Sequence, residues 1–171
     1  MRAVQVPVSQ LLLSNQVSEV VVISYADLIA RGFADAVHKV LVAQVFPENA
    51  EQPELRAEIQ RLRATGSVYV VIEGNHRAVG YALLRRSLPG LELECDADLE
   101  VCRQLAEEGG GGRFVHDDDL LQPLVNRALE MSYAHLVYSP RVAAEHAREL
   151  VRTNIINLLE LPRFLREQVI A

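Results

Sequence analysis

The sequence predicts an α/β protein, or more exactly an α+β arrangement, in which a small mixed sheet is followed by a mostly helical part. Short β-branched runs at residues 40–45 and 68–72 predict buried strands, helical spacing of apolar residues separates them, and helical patterns dominate after residue 120. We therefore expect an α/β domain over residues 1–108. A helical C-terminal subdomain over residues 113–171 is expected to pack on it or on a partner subunit.

The N-terminal third predicts two strands and a short helix. Alternating valines in residues 4–8 predict the first strand, and Pro7 places that strand at an edge of the sheet. The apolar run at residues 20–23 predicts another strand. A short helix is expected to follow it and to end near Gly32.

The middle of the chain predicts a helix between the two buried strands. Pro53 suits a first helical position, and Gly66 suits the position just past a helix end. Alternation at residues 91–95 predicts another strand, after which Asp96 is expected to cap a helix. The four glycines at 109–112 are interpreted as a flexible connector, with a lid or ligand loop as the alternative.

The C-terminal third predicts three helices. The first covers residues 120–138, and the second has Ser139 as its N-cap and runs from Pro140 to about residue 160. A short final helix is expected to start at Pro162. These helices have broad apolar faces, so we expect them to cover the sheet or to form a homo-oligomer.

Composition restricts the class of protein and its partners. The net charge is −6, and no basic run could neutralise several phosphates of a duplex, so DNA is not the expected partner. No apolar run approaches the length of a membrane span, and the first residues lack the features of a secretory signal. We expect a cytoplasmic protein without a membrane partner.

The reactive residues outside the main motif have ordinary structural interpretations. Cys95 and Cys102 form no metal-binding or redox motif and are expected to be buried, reduced thiols. The acidic segment 116–119 is expected to favour a helix N-terminus, although a hard cation is an alternative. His135 and His146 are expected to be core or surface residues. We predict no metal site built by protein side chains.

The strand at residues 68–72 passes directly into a helical pattern, and the polar residues at that junction predict an anion site. Gly74 permits a close backbone approach, and Asn75 is expected to cap a helix that begins at His76. The amides of a first turn have no partners within the helix and lie at the positive end of its dipole. Arg77 could grip the same anion. The alternative is that these residues only turn the chain and cap the helix.

The segment Glu73-Gly74-Asn75-His76-Arg77 resembles the core motif of the ParB/sulfiredoxin superfamily, in which a strand runs into a G-x-x-R turn. It is most similar to the D-G-H-H-R of the free serine kinase branch. The resemblance implies a sheet of ParB/sulfiredoxin type. It also implies that Gly74, Asn75, His76 and Arg77 bind the phosphates of ATP or ADP, with Mg²⁺ and a small amino-acid substrate.

The same resemblance gives the candidate catalytic residues Glu73, His76 and Glu19. Glu73 would orient the substrate or the magnesium ion. The catalytic glutamate of the kinases matches Asn15, which cannot take a proton from a hydroxyl, and Glu19 could replace it under a small shift in register. The alternative function is a non-catalytic ParB-like regulatory or scaffold module without phosphotransfer activity.

Overall fold

The computed structural model describes residues 1–34, 39–107, 115–116 and 119–170, which form a mixed sheet between two layers of helices. The strands are β1 (Arg2–Val6), β2 (Leu11–Leu12), β3 (Val40–Val45), β4 (Val68–Glu73) and β5 (Leu88–Leu93), in the order β1-β5-β3-β4-β2. The pairs β1/β5 and β3/β4 are antiparallel, whereas β5/β3 and β4/β2 are parallel. The predicted mixed α/β class is confirmed, and β1 is an edge strand as Pro7 indicated.

The helices are α1 (Glu19–Ala30), α2 (Pro53–Arg63), α3 (Asn75–Leu83), α4 (Asp96–Glu107), α5 (Leu121–His135), α6 (Ala143–Arg152) and α7 (Arg163–Ile170). Side chains of β4 alternate between two apolar cores. Val68, Val70 and Ile72 pack with α2, α4 and α5, while Tyr69 and Val71 pack with α1, α3, α6 and α7. The C-terminal helices therefore cover both faces of the sheet.

The predicted strand at residues 20–23 is wrong, because these residues belong to α1. In this helix Val22, Ala26 and Ile29 are buried, and their spacing of four and three residues forms one helical face. Val20 is largely exposed. Burial of that one face against the sheet layer outweighs the strand preference of a β-branched run.

The second C-terminal helix is much shorter than predicted, and Val142 is its N-cap instead of Ser139. The amide of Leu13 donates to the Arg141 carbonyl at 2.8 Å, and Val142 bridges Leu12, so this segment is extended along the outer edge of β2. The helix ends before Asn154, which has a left-handed φ of 58°. Covering an exposed strand edge explains the late helix start.

Several other predictions can be compared directly with the fold. Helix α2 does begin at Pro53. Asp96 is the first residue of α4 and not its N-cap, which corrects the predicted cap, and its Oδ1 accepts from the Leu121 amide of α5. Cys102 is buried as expected, but Cys95 is exposed, which corrects its interpretation as a core thiol. The glycine run at 109–112 lies outside the described residues. None of the described helices is both long enough and apolar enough to cross a lipid bilayer.

Candidate functional site

The parallel pairing of β2 and β4 brings the predicted motif together with the segment that follows β2. Leu11 pairs with Tyr69 and Leu12 with Val70, so both strands end at the same edge of the sheet. A cavity of about 440 Å³ lies at this edge. The residues that line it are Ser14, Asn15, Gln16, Val21, Tyr25, Ile72, Glu73, Gly74, Asn75, His76, Arg77, His116, Leu124, Arg127, Ala128 and Met131.

Gly74 is the N-cap of α3, which corrects the prediction that Asn75 caps the helix. Its φ of 107° lies in the left-handed region that favours glycine. A Cβ at this position would lie 3.0 Å from both Arg77 Nη2 and Val40 Cγ2. The turn from β4 into α3 therefore depends on the absence of a side chain at residue 74.

Asn75 is the first residue of α3, and its side chain links the two sides of the cavity. Its Oδ1 accepts from the Ser14 amide at 2.9 Å, and its Nδ2 donates to the Ser14 Oγ at 3.0 Å. In contrast, no described residue accepts a hydrogen bond from the backbone amides of Asn75 and His76. The first intrahelical bond runs from the Ala78 amide to the Gly74 carbonyl at 2.9 Å. Two donors are thus left at the start of the helix.

The Arg77 guanidinium is folded back against the end of the strand. Its Nη1 donates to the Lys39 carbonyl at 3.0 Å, and its Nη2 lies 3.5 Å from Glu73 Oε1. Both side chains of this ion pair are about nine-tenths buried. The Arg77 guanidinium, which was predicted to bind an anion, therefore contacts the protein itself. Its charge is balanced by the adjacent Glu73 carboxylate.

His76 is half-buried at the cavity wall. Burial, followed by the neighbouring Arg77 charge, lowers the pKa of His76 below its usual value. The imidazole is consequently neutral at neutral pH. A neutral ring can accept one hydrogen bond and donate another.

Arg127 is a cavity residue that the sequence did not indicate. Asp119 accepts from its Nη2 through both carboxylate oxygens at 3.0 Å, and the same carboxylate accepts from the His116 amide at 2.8 Å. Although burial opposes ionisation of Asp119, the His116 amide and Arg127 outweigh it and hold the pKa of Asp119 below its usual range. Arg127 is therefore a positioned cation, and its side chain is 46% exposed.

The acidic segment 116–119 does not cap α5 through Asp119. The Leu121 amide at the start of α5 instead donates a hydrogen bond to Asp96 Oδ1 at 2.7 Å. Asp117 and Asp118 lie outside the described residues. Within the described ranges no group of three or more His, Cys, Asp or Glu side chains could hold a metal ion.

The predicted acids are placed differently with respect to the cavity. Glu73 lines it, and so does Asn15, whereas Glu19 is exposed in the first turn of α1 and does not line it. Among the described lining residues Glu73 is the one carboxylate. The structure therefore brings Glu73, Gly74, Asn75, His76 and Arg77 together and leaves Glu19 outside.

The rest of the cavity lining is largely apolar. It comes from Val21 and Tyr25 of α1 on one face of the sheet and from Leu124, Ala128 and Met131 of α5 on the other. In the sequence Val21 was assigned to a strand and the others look like ordinary members of helices, so nothing marked them as a ligand surface. The cavity thus combines an apolar lining with a polar end that contains amide, imidazole and guanidinium groups.

Comparisons of the chain with protein-family models, with curated proteins and with solved structures found no match. The resemblance to the ParB/sulfiredoxin superfamily therefore rests on residues 73–77 and their neighbours.

Proposed function

We propose that this cavity binds ATP or ADP through its phosphates, and that the chain is a small-molecule kinase acting on a hydroxyl-bearing amino acid such as serine. One observation carries the binding proposal. Asn75 and His76, whose backbone amides no described residue engages, line the same cavity as Arg127. Helix N-terminal amides and arginine are the groups that proteins use to bind phosphate oxygens.

The size and lining of the cavity suit the rest of a nucleotide. Its volume of about 440 Å³ lies within the range of small-molecule sites. The apolar lining from Tyr25 of α1 and Met131 of α5 would receive the flat base, since aromatic and thioether groups pack well against planar rings. The phosphates would then point toward the start of α3.

Phosphoryl transfer needs an acceptor hydroxyl and a group that takes its proton. Glu73 is the candidate base, because it is the described carboxylate of the cavity. The serine hydroxyl would lose its proton to Glu73 while its oxygen forms a bond to the terminal phosphorus and the bond from that phosphorus to the leaving nucleotide oxygen breaks. Mg²⁺ bound to the nucleotide would neutralise phosphate charge, and the single carboxylate indicates that phosphate and water oxygens would supply most of its ligands.

His76 would act beside Glu73 and not in place of it. Because its imidazole is neutral at neutral pH, it can donate a hydrogen bond to a phosphate oxygen without adding a fixed charge. A bound phosphate would favour the protonated ring and raise the pKa of His76. Nucleotide affinity is therefore expected to increase as the pH falls toward the usual range of histidine.

The second candidate function is a ParB-like regulatory or scaffold module that lacks phosphotransfer activity. Two observations favour it. Asn15 occupies the cavity position at which the resemblance expects a catalytic glutamate, and Glu73 is already paired with Arg77 at 3.5 Å. The ion pair with Arg77 holds the Glu73 carboxylate against the protein and leaves it less accessible to a substrate hydroxyl.

Calorimetric titration with ATP and ADP tests the binding proposal. Arg127→Gln removes the exposed cation without changing the helix and should weaken ATP binding by about tenfold or more. Arg163→Gln is the matched control, since Arg163 is an exposed arginine on α7 outside the cavity. Absence of ATP and ADP binding to the wild type, or equal ATP affinity of all three proteins, would contradict the proposal.

Incubation with ATP or ADP, Mg²⁺ and serine, followed by phosphorus NMR, separates the two candidate functions. A kinase forms phosphoserine, and Glu73→Gln should abolish product while the protein still binds nucleotide. Circular dichroism of the variant checks that loss of the Glu73–Arg77 pair has not unfolded it. Nucleotide binding without any product would favour the regulatory module.

Other partner assignments stay predictions with their own tests. Self-association through the C-terminal part is supported by exposed apolar side chains at Ile155 and Leu159, which lie in the segment between α6 and α7. Light scattering after size exclusion would measure it.

The net charge of −6 supports the prediction that DNA is not a partner, which a gel shift at low salt would test. Cell fractionation would test the predicted cytoplasmic location.

A further inference from the structure

A second cavity, of about 730 Å³, lies in the helical layer that contains α3, α6 and α7 and shares no residue with the first. Its walls come from these helices and from two 3-10 turns, Val8–Gln10 and Leu158–Glu160. The lining residues are Val8, Ser9, Ala82, Leu83, Arg85, Ala144, Ala147, Arg148, Val151, Arg152, Leu158 and Val169.

The floor of this second cavity is apolar, and small side chains create its depth. Ala82, Ala144 and Ala147 lie where α3 and α6 pack together, and Val169 closes the floor from α7. Three of these four residues are buried, and Ala144 is partly exposed. Alanines on neighbouring helices leave room for an apolar ligand that larger side chains would fill.

Three arginines line the same cavity, and none of the described lining residues is acidic. Arg152 is already bonded to Glu149 at 2.8 and 2.6 Å, and Arg148 Nε contacts the Ala144 carbonyl of its own helix at 3.3 Å. No described residue forms a hydrogen bond or ion pair with the Arg85 side chain. The chain as a whole carries a charge of −6, so this is a local concentration of cations beside an apolar floor.

The backbone at Arg85 is fixed by the turn that ends α3. The Arg85 amide donates to the Ala82 carbonyl and the Arg86 amide to the Tyr81 carbonyl, which is the Schellman pattern at the end of α3. Arg85 has the left-handed φ of 55° that this pattern requires, a position at which glycine is usual. The guanidinium is thus attached to a backbone position that the hydrogen bonds of the turn hold in place.

We propose that this cavity binds an anionic amphiphile, specifically a fatty acid whose acyl chain lies on the alanine-rich floor. Arg85 and Arg148 would pair with its carboxylate. The volume lies within the range of small-molecule sites, and a few polar groups at one rim of an apolar cavity are the usual pattern of such sites. Guanidinium groups bind carboxylates through paired hydrogen bonds. The inference is independent of the nucleotide proposal.

Calorimetric titration of the full chain with dodecanoate below its micelle concentration tests the inference. The wild type should bind it, and dodecyltrimethylammonium, which has the same chain and a cationic head, should not bind. Arg85→Gly removes the guanidinium and supplies the residue that the Schellman position favours, so the fold is retained. We expect Arg85→Gly and Arg148→Gln each to weaken binding by about tenfold.

Two further variants test the role of the apolar floor and provide a control outside the cavity. Ala144→Leu fills the partly exposed part of the floor and should also reduce dodecanoate affinity, while Arg61→Gln, an exposed arginine on α2, should leave it unchanged. Equal affinity of the wild type and Arg85→Gly, or equal binding of both amphiphiles, would overturn the inference. Binding only to anionic phospholipid vesicles, or to a second copy of the chain that blocks dodecanoate, would overturn it as well.

Discussion

Replacing Gly74 by alanine should destabilise the protein strongly, because this residue makes the turn that builds the site. An alanine at a φ of 107° costs about 1 to 2 kcal/mol in backbone energy. Its Cβ would also lie 3.0 Å from Arg77 Nη2, so the guanidinium has to move away from Glu73 and from the Lys39 carbonyl. Losing charged hydrogen bonds costs about 1 to 3 kcal/mol, which gives a total of about 2 to 5 kcal/mol.

Gly32→Ala is the matched control, since Gly32 also has a left-handed φ, 86°, but no atom lies within 4 Å of the point that an added Cβ would occupy. It should lose only the backbone part, about 1 to 2 kcal/mol. Urea unfolding followed by circular dichroism measures both free energies of unfolding. If Gly74→Ala costs no more than Gly32→Ala, the close packing of Arg77 against residue 74 is not what fixes the turn.

Three further predictions concern the cavity, the core histidine and the thiols. Asn75→Asp keeps an oxygen that accepts from the Ser14 amide but places a negative charge at the start of α3. Calorimetry should therefore show ATP affinity falling by about tenfold, while the melting temperature stays close to that of the wild type. Unchanged ATP affinity would contradict the assigned site. Burial lowers the pKa of His146 in the folded state, so its contribution to stability is fully present above its usual pKa of 6.5 and is lost as the pH falls below that value. Urea unfolding should accordingly show that acidification lowers the free energy of unfolding less in His146→Leu than in the wild type. His76 adds a similar pH dependence to both proteins. An identical decrease in the two proteins would refute the assignment to His146. Burial raises the pKa of the Cys102 thiol to about 11, so mass spectrometry after mild alkylation should find Cys95 modified and Cys102 unmodified until the protein is unfolded.

The junction between β4 and α3 was predictable because its signals are local. A run of β-branched residues forms β4, and one glycine permits the turn that follows it. The resemblance matched Asn15 to a catalytic residue, and the parallel pairing of β2 with β4 brings Asn15 to the cavity that the junction lines. Only the cap was misassigned, because Asn75 bonds across the cavity to Ser14 instead of to its own helix.

The errors in the predicted fold arose where distant packing decides local structure. Residues 20–23 have strand propensity, yet they belong to α1, in which Val22 shares a buried face with Ala26 and Ile29. Arg141 and Val142 follow a proline that suits a helix start, yet they are extended because they cover the edge of β2. For residues 20–23 the i, i+4, i+7 spacing of Val22, Ala26 and Ile29 was a local helical signal that the β-branched run outweighed. The edge of β2, in contrast, lies far from residues 141–142 in the sequence, so no local pattern could reveal that contact.

Arg127, the site residue that the sequence did not indicate, was also missed because packing between distant segments places it in the cavity. Arg127 reaches the cavity from α5, which packs over β4 from a position far along the chain. Its pairing with Asp119 fixes its direction, and this pair is visible only once the segment before α5 is placed. Residue types near the motif identified one end of the cavity, whereas the fold supplied the rest of its lining.

The most direct test of the nucleotide proposal is an amide NMR titration of the ¹⁵N-labelled protein with ATP and, separately, with adenosine. Contact between phosphates and the start of α3 predicts that the amide signals of Asn75 and His76 move strongly with ATP and much less with adenosine. If ATP leaves both signals in place, or if adenosine moves them equally, phosphate is not bound at the end of β4.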